Sequence, residues 1–382
     1  MFDFSSVIER RNTGSFKWDK YRGRDILPFW VADMDFAVAP AIVEAVHKRL
    51  DHPVFGYATA PAGLAPAIVD ALQREFEWAI DPDWLVWLPG VVPGLAASCR
   101  AFGKDGDEAI VFPPIYHHFL SVVQPARKRL VTVPLLEEQG RWSLDFDALE
   151  KAVTPRSRLL LLCSPHNPVG KVFSAKELAR LCMFAADHDM IIVSDEIHCS
   201  LVLDRSRQHI PTAKVCPQYS DRIVTLMSPS KTFNLAGMNC SFAVIDNPQL
   251  RKRFIRALQG VVPMVPATSY VAAEAAYRDG WEWQQALLEV LRENHALLKN
   301  AIETMPGIEM TKLEATYLAW LDVRALGIER PQQYFEKHGL GFSCGLEFGP
   351  EGKGFVRFNF ACPRVLLEEG IARLRRAVEK AA

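Results

Sequence analysis

The sequence lacks the features that mark several classes of protein. Its apolar runs stay well short of the ~18 residues that a membrane-spanning helix needs. Its first eleven residues include acids and no long apolar core, so we expect no signal peptide. Lys and Arg number 44 against 45 Asp and Glu, which leaves no positive excess for nucleic acid or an acidic membrane. We therefore expect a soluble, cytoplasmic protein that binds neither nucleic acid nor membrane.

Motifs for disulfides, nucleotides and metals are also missing. The 8 cysteines form no Cys-x-x-Cys pair, and several lie in apolar runs, which favours free, buried thiols in a reducing compartment. The only glycine-rich spacing of note, Gly349-x-x-Gly352-x-Gly354, precedes a late strand instead of following the first one. No His-Glu-x-x-His or similar spacing indicates a metal site, so none is expected.

Seven short apolar runs alternate with amphipathic stretches in the middle of the chain. Continuous apolar runs are typical of strands covered on both faces, and the amphipathic stretches are long enough for crossover helices. This pattern predicts an α/β protein with a seven-stranded, mostly parallel sheet. The runs are residues 84–88, 109–112, 130–133, 159–163, 190–193, 223–227 and 240–245.

The alternation stops after residue 247, which predicts a second, smaller domain. Helical spacing leads to Met305, and a lobe with strands near 316–323 and 354–360 follows. At the start of the chain, helices are expected over 41–50 and 62–76. The predicted organisation is an N-terminal segment (1–45) that packs with the small domain, a large domain (46–285) and a C-terminal small α/β domain (286–382).

Reactive side chains follow the ends of several predicted strands. In parallel α/β sheets, ligands bind beyond the carboxyl ends of the strands. Lys231 lies there between small hydroxyl residues, where burial would lower its pKa and make it a Schiff-base nucleophile. Asp195 ends a buried strand and needs a cationic partner, such as a protonated pyridine nitrogen. Tyr116 offers a ring for stacking, and Asn167 can donate to a phenolate oxygen.

A phosphate site is predicted on the same edge of the sheet. The turn 90–94 opens a helix, whose free N–H groups suit a phosphate. Ser228 and Ser230 would add hydroxyl donors.

Each of these residues also has a purely structural interpretation. Asp195 can cap a helix, Tyr116 can be a core aromatic, and Asn167-Pro168 can be a turn. The turn 90–94 can be a simple connection, and His198 a core histidine. Lys231 can lie in a solvated loop. Asp33 and Asp35 can be N-cap residues before a helix that starts near Pro40.

Three segments together carry a family resemblance. They are Ser164-Pro-His-Asn-Pro-Val-Gly170, Ser194-Asp-Glu-Ile-His198 and Ser228-Pro-Ser-Lys-Thr-Phe-Asn-Leu-Ala-Gly237. The set resembles the class I/II aminotransferase superfamily, whose members are fold type I pyridoxal 5'-phosphate (PLP) enzymes. More narrowly, the chain resembles the MalY/PatB-type C–S β-lyases, or cystathionine β-lyases, through five further segments: Met1–Phe4, Trp30–Phe36, Phe55–Tyr57, Thr316–Leu321 and Gly354–Arg364.

The resemblance implies a role for each matching position. Lys231 would hold the cofactor as an imine and act in catalysis together with Tyr116, which stacks on the ring. Arg357 would bind the substrate α-carboxylate. Asp33 and Tyr57 would also contact substrate, with Tyr57 reaching the cofactor of the partner subunit in a homodimer. The remaining cofactor contacts implied are Val91, Val92, Asn167, Asp195, His198, Ser228 and Ser230.

Two positions depart from the family pattern. Asn239 stands where broad-specificity aminotransferases often carry a phosphate-binding Arg, which points away from ordinary transamination. Ser200 stands where many of the β-lyases have Asp, which leaves part of the substrate pocket open.

The function that the resemblance implies is α,β-elimination of cystathionine or another cysteine S-conjugate to thiol, pyruvate and ammonia. A class I/II aminotransferase shares every cofactor residue and stays an alternative. A lyase of sulfoxide conjugates in thiol or thiohistidine biosynthesis is a further one, as is a regulatory protein that retains the fold.

Overall fold

The computed structural model describes residues 2–381 and confirms the α/β class and all seven predicted strands of the large sheet. Predicted and observed bounds agree within two residues. The strands are β1 (Leu27–Pro28), β2 (Leu85–Leu88), β3 (Glu108–Val111), β4 (Arg129–Thr132), β5 (Leu136–Glu138), β6 (Arg141–Ser143), β7 (Ser157–Cys163), β8 (Ile191–Asp195), β9 (Ile223–Met227), β10 (Ser241–Val244), β11 (Glu309–Met310), β12 (Leu318–Asp322), β13 (Leu340–Gly341), β14 (Ser343–Cys344) and β15 (Phe355–Asn359).

Helices connect most of these strands. The predicted helices at 41–50 and 62–76 are both present. The α-helices are α1 (Phe16–Asp19), α2 (Pro40–Leu50), α3 (Leu64–Phe76), α4 (Val91–Ala101), α5 (His117–Ser121), α6 (Phe146–Ala152), α7 (Ala175–Asp187), α8 (Thr212–Val215), α9 (Pro248–Leu258), α10 (Ala267–Asp279), α11 (Trp281–Ile302), α12 (Pro331–Lys337) and α13 (Arg364–Ala381).

Short 3-10 turns complete the described secondary structure. They are Pro82–Trp84, Gln124–Ala126, Pro217–Arg222, Ala236–Met238, Arg324–Leu326, Gly345–Phe348 and Pro350–Gly352.

The large sheet has the strand order β2-β10-β9-β8-β7-β3-β4. β10 pairs antiparallel with β2 and β9, and the remaining pairs are parallel. The carboxyl ends of β3, β7, β8 and β9 therefore meet along one edge. This is the edge where the sequence places its reactive side chains.

Buried apolar faces hold the helices against this sheet. On α7, Leu178, Leu181 and Phe184 are buried, as the amphipathic spacing predicts. Ser174 begins the helix with a capping box: its side chain accepts from the N–H of Glu177, whose carboxylate accepts from the N–H of Ser174. Helical periodicity and capping thus act together to fix this crossover.

The smaller sheet is antiparallel, with the order β11-β12-β15-β14. The N-terminal segment contacts this lobe: β1 pairs with β13, and the Phe29 ring lies 4.5 Å from that of Phe358 on β15. Helix α11 runs through position 285, so the domain boundary there stays a prediction.

No helix within residues 2–381 is long and apolar enough to cross a membrane.

Candidate active site

A cavity of about 1,090 Å³ opens at the carboxyl edge of the large sheet. Residues that the sequence placed on separate strand ends share its wall. The predicted residues on this wall are Val91, Val92, Tyr116, Asn167, Asp195, His198, Ser230, Lys231 and Arg357.

Lys231 follows β9 in a turn closed by backbone hydrogen bonds, among them one from Leu235 N to Ser230 O (2.9 Å). Its Nζ donates to the carbonyl of Ala32 (2.7 Å). Burial lowers the pKa of Lys231 to about 8, with the charge of Arg357 acting in the same direction. At pH 7 about a tenth of this amine is therefore neutral and nucleophilic, far more than of an ordinary lysine.

Asp195 is the last residue of β8 and is buried beneath the cavity. Its Oδ1 accepts from the N–H of Ile197 (3.1 Å), so it orders a turn and caps no helix. Burial raises the pKa of Asp195 to about 7, although that N–H and the charge of Lys231 act against the rise. The carboxylate lacks a full counter-charge from the protein, and a cation in the cavity would supply it.

Tyr116 immediately precedes α5 and lies on the cavity wall. Its N–H donates to the carbonyl of Asn167 (3.0 Å), which ties the end of β3 to the end of β7. Burial raises the pKa of Tyr116, so its hydroxyl stays protonated. The ring faces the cavity, and the alternative of an enclosed core aromatic is wrong.

Arg357 lies on β15 and brings the small sheet to the cavity. Its Nη1 donates to Asn167 Oδ1 (3.0 Å), and its Nη2 donates to the carbonyl of Trp30 (2.8 Å) and to Ser343 Oγ (3.2 Å). Burial lowers the pKa of Arg357 to about 10, which leaves it cationic. Its Nε is buried without a hydrogen-bond partner among the described residues, so an incoming carboxylate would find an unused donor.

The N-terminus of α4 forms another part of the wall, through Val91 and Val92. A methyl group on Gly94 would lie 2.9 Å from Leu88 and Leu226 side-chain carbons, so the glycine lets this helix lie close to the sheet. The first N–H groups of the helix point towards the cavity end and suit an anion. Ser230 stands beside them on the wall.

His198 is 2% exposed and reaches the cavity wall. Burial lowers the pKa of His198, and Lys231 and Arg357 add to that effect, so the ring is neutral. Its Nδ1 has no hydrogen-bond partner within the described part of the chain. A buried, unpartnered ring nitrogen at a cavity is costly unless a ligand meets it.

Three predicted residues lie off the cavity wall of this chain. Ser228 turns away, and its hydroxyl donates to the carbonyl of Cys240 (2.8 Å). Asp33 pairs with Arg10, with 2.7 Å between Oδ2 and Nη2. Tyr57 is 98% exposed.

One structural alternative for the N-terminal acids is wrong. Ala39 occupies the N-cap position of α2, and no side chain caps that helix. Asp35 is instead buried in an ion cluster with Lys17 and Arg10.

Several residues of the wall were not predicted from the sequence. Trp30 and Ser343 reach the cavity from the N-terminal segment and from β14. Neither residue follows a strand of the large sheet, so the position of those strand ends does not predict them. His117 and His118, also on the wall, could have been predicted, since they directly follow Tyr116 in the sequence. Burial lowers the pKa of His117 to about 4, with help from His118 and Arg357.

A family model, aminotransferase class I and II, matches residues 24–374. The chain belongs to this family. Within the family, the cystathionine β-lyase PatB of Bacillus subtilis (strain 168) is 36% identical over 386 residues, covering 98% of this chain and all of PatB.

Solved structures agree with this membership. The crystal structure of OvoB matches with a TM-score of 0.95 at 46% identity and covers 99% of both chains. Cystalysin from Treponema denticola, whose crystal structure contains pyridoxal 5'-phosphate, matches with a TM-score of 0.96 at 32% identity over the full length of both chains. These matches confirm the fold type I architecture.

The two departures from the family pattern have defined places in the structure. Asn239 adopts a left-handed backbone (φ 47°) and lies on the cavity wall. Ser200 lies in the small pocket behind the wall that also contains Glu75 and Gln284. Glu75 therefore supplies a carboxyl group in the same pocket as Ser200, the position where many of the β-lyases have Asp. Burial raises the pKa of Glu75.

Among the described residues, no cluster of three or more His, Cys, Asp or Glu is placed to hold a metal ion.

Proposed function

We propose that this protein is a PLP-dependent carbon–sulfur β-lyase, which splits cysteine S-conjugates such as cystathionine into a thiol, pyruvate and ammonia. The observation that carries the proposal is the placement of three groups around one cavity: the amine of Lys231, the buried carboxylate of Asp195 and the guanidinium of Arg357. Relatives named cystathionine β-lyase and C–S lyase support the reaction type.

The residues of the cavity fit PLP on their own chemistry. Asp195 needs a cation, which a protonated pyridine nitrogen supplies. The N-terminus of α4 with Ser230 suits the phosphate, and Tyr116 suits the ring face. The unpartnered Nδ1 of His198 and the amide of Asn167 stand on the same wall. Ser228 would not contact the phosphate itself. It would hold the loop of Ser230 through the hydrogen bond from Ser230 N to Ser228 Oγ (3.1 Å).

The bound cofactor supplies an electron sink for charge that develops at the substrate Cα. Arg357 holds the α-carboxylate and is itself oriented by Asn167 and Ser343. The amine of Lys231 takes the Cα proton, because its lowered pKa keeps part of it neutral. The Cα–H electrons become the Cα–Cβ double bond, and sulfur leaves with the Cβ–S pair. The released aminoacrylate hydrolyses to pyruvate and ammonia.

The assay that tests this proposal offers L-cystathionine or an S-alkyl-cysteine to the purified protein with PLP. Pyruvate and free thiol should form in equal amounts, and Lys231→Ala should abolish both. An aminotransferase would instead need an added keto acid and would release no thiol. Robust amino transfer without thiol release would overturn the lyase proposal.

We further propose that the enzyme is a homodimer with shared sites. Val54, Phe55 and Tyr57 are 62–98% exposed, an unusual state for apolar and aromatic side chains grouped within four residues. Val261 and Met264 are also more than half exposed, and Met264 lies on the cavity wall. A second copy that covers both stretches would bring Tyr57 to the partner's cavity. Tyr57 would complete the cofactor and substrate contacts there.

Mixing two inactive variants tests this arrangement. Tyr57→Ala and Lys231→Ala homodimers should each be poorly active. A mixed dimer has one site with both native residues, so the mixture should recover about a quarter of the wild-type activity. Additive, low activity after subunit exchange would contradict a shared site.

All eight cysteines are free thiols, and seven are buried, which suits a reducing compartment such as the cytoplasm. A panel of thioether substrates in the same assay would identify the one that the enzyme cleaves fastest and would test a role in thiol biosynthesis. Asp33 has no direct substrate contact in the proposed mechanism, since its carboxylate is paired with Arg10.

A further inference from the structure

Backbone carbonyls of residues 30–34, here called the carbonyl segment, contact both functional cations of the cavity. The carbonyl of Trp30 accepts from Arg357 Nη2 (2.8 Å) and from Ser343 Oγ (2.7 Å). The carbonyl of Ala32 accepts from Lys231 Nζ (2.7 Å) and from the hydroxyl of Tyr317 (3.1 Å). A single short stretch of backbone therefore sets the positions of the amine and the guanidinium relative to each other.

Two asparagines fasten this segment from the other side. Asn359 Nδ2 donates to the carbonyls of Val31 (2.6 Å) and Asp33 (2.7 Å). Asn234 Oδ1 accepts from Met34 N (2.9 Å), and its Nδ2 donates to Met34 O (3.1 Å). Asn359 lies two residues after Arg357, and Asn234 lies three residues after Lys231. Each asparagine therefore anchors the segment next to the cation that the segment holds.

The side chains of Asp33 and of the acid just after the segment, Asp35, point into a separate ion cluster, which is buried at Lys17 and Asp35 and partly exposed at Arg10 and Asp33. Lys17 has no exposed side-chain surface, and its Nζ lies 2.7 Å from Asp35 Oδ2. Arg10 bridges the two acids, with Nη2 2.7 Å from Asp33 and Nη1 2.6 Å from Asp35. Asp35 also accepts from Trp18 Nε1 (2.8 Å). Buried charges persist only when they are paired, so the buried Lys17–Asp35 pair has little freedom to rearrange, and Arg10 links it to Asp33.

We propose that the ion cluster of Arg10, Lys17, Asp33 and Asp35 and the anchor Asn359 are positioning residues, which hold the carbonyl segment so that it aligns the amine of Lys231 with the guanidinium of Arg357. A displaced segment would leave both cations without their carbonyl partners. Proton removal at Cα by Lys231 needs a substrate held by Arg357 at a fixed distance, and small displacements of positioned groups reduce rates strongly. The inference deepens the proposed function and rests on it for the roles of these two cations.

Two variants loosen the segment by independent routes. Arg10→Gln removes the bridge between the acids and keeps the buried Lys17–Asp35 pair, so the fold should persist. Asn359→Ser removes two donors to the segment and changes no charge. Arg205→Gln serves as control, because Arg205 forms an exposed pair with Glu289 far from the segment in sequence. Thermal melting of the full chain reports whether each variant is folded.

The first readout needs no cofactor: the rate at which an acylating reagent labels Lys231 in the PLP-free protein, followed by mass spectrometry of its peptide. Loss of the Ala32 contact frees the amine, so both variants should label about tenfold faster, in keeping with one charge-assisted hydrogen bond. The second readout is the loaded enzyme, where KM should rise about tenfold through Arg357 and kcat should fall.

Folded variants whose labelling rate and KM both equal those of the control would overturn the proposal and leave the cluster a structural feature alone. If wild-type protein binds PLP but forms no pyruvate, the lyase proposal fails, whereas the labelling experiment still reports on the segment.

Discussion

Replacing Asp195 by Asn should make the PLP-free protein more stable at neutral and alkaline pH. Asp195 is 4% exposed, and no cation of the described chain contacts its carboxylate directly. The amide of Asn has nearly the same shape, and its oxygen can still accept from Ile197 N. The substitution therefore removes a buried charge and little else.

The magnitude follows from the pKa of the carboxyl. Burial raises the pKa of Asp195 from 3.8 to about 7, and each pKa unit corresponds to about 1.4 kcal/mol. Below pH 3.8 both folded and unfolded states are protonated, and Asp195 costs nothing. Between these two pKa values the carboxyl is ionised in the unfolded state but still protonated in the folded state. The free energy of unfolding therefore falls as the pH rises, by about 4 kcal/mol once the pH is above 7. The Asn variant never ionises and escapes it.

Urea unfolding followed by circular dichroism, at steps between pH 5 and pH 8, measures this difference. The stability advantage of Asp195→Asn should grow by about 2.5 kcal/mol over that range. Asp70→Asn, at an exposed position on α3, should show no such growth. With PLP bound, wild type should gain more stability than the variant, because a protonated ring nitrogen would supply the counter-charge that the carboxylate lacks. A constant difference between wild type and Asp195→Asn across the pH range would refute the reasoning.

Three further predictions concern the cations of the cavity. Because burial lowers the pKa of Lys231 to about 8, the acylation rate of its amine in PLP-free protein should reach half its maximum near pH 8; a midpoint near 10 would contradict this. Lys231→Ala should lose the visible absorbance band of the lysine-linked cofactor, whereas Lys214→Ala, on a separate surface, should keep it. Arg357→Lys should raise KM for the amino acid about 10–100-fold with a smaller effect on kcat, since a lysine cannot make the two-pronged carboxylate contact; an equal KM for both proteins in steady-state kinetics would count against this role.

The large sheet and its reactive edge follow from local pattern. Apolar runs specify buried strands, and the parallel pairing brings Tyr116, Asn167, Asp195 and Lys231 to one edge without further information. Those four positions depend only on where a strand ends, and a strand end is readable from the sequence.

Contacts made by backbone and by distant segments are harder to read. Nothing in the residue type of Ala32 indicates that its carbonyl meets Lys231, since every residue has a carbonyl. The side chain of Asp33 belongs to the right segment, yet the bends of the chain there direct it towards Arg10 and away from the cavity. The position of Ser228 is set by hydrogen bonds to the carbonyl of Cys240 and with Ser230, which no motif specifies.

The cavity joins residues from opposite ends of the chain, and this has a consequence for synthesis. A ribosome releases Val91, Asp195 and Lys231 long before it reaches Arg357 on β15. Until then no guanidinium donates to the carbonyl of Trp30 or to the amide oxygen of Asn167, and β12 lacks its pairing partner β15. A truncated product that ends before β15 would therefore keep the groups proposed for PLP but lack a receptor for the amino acid.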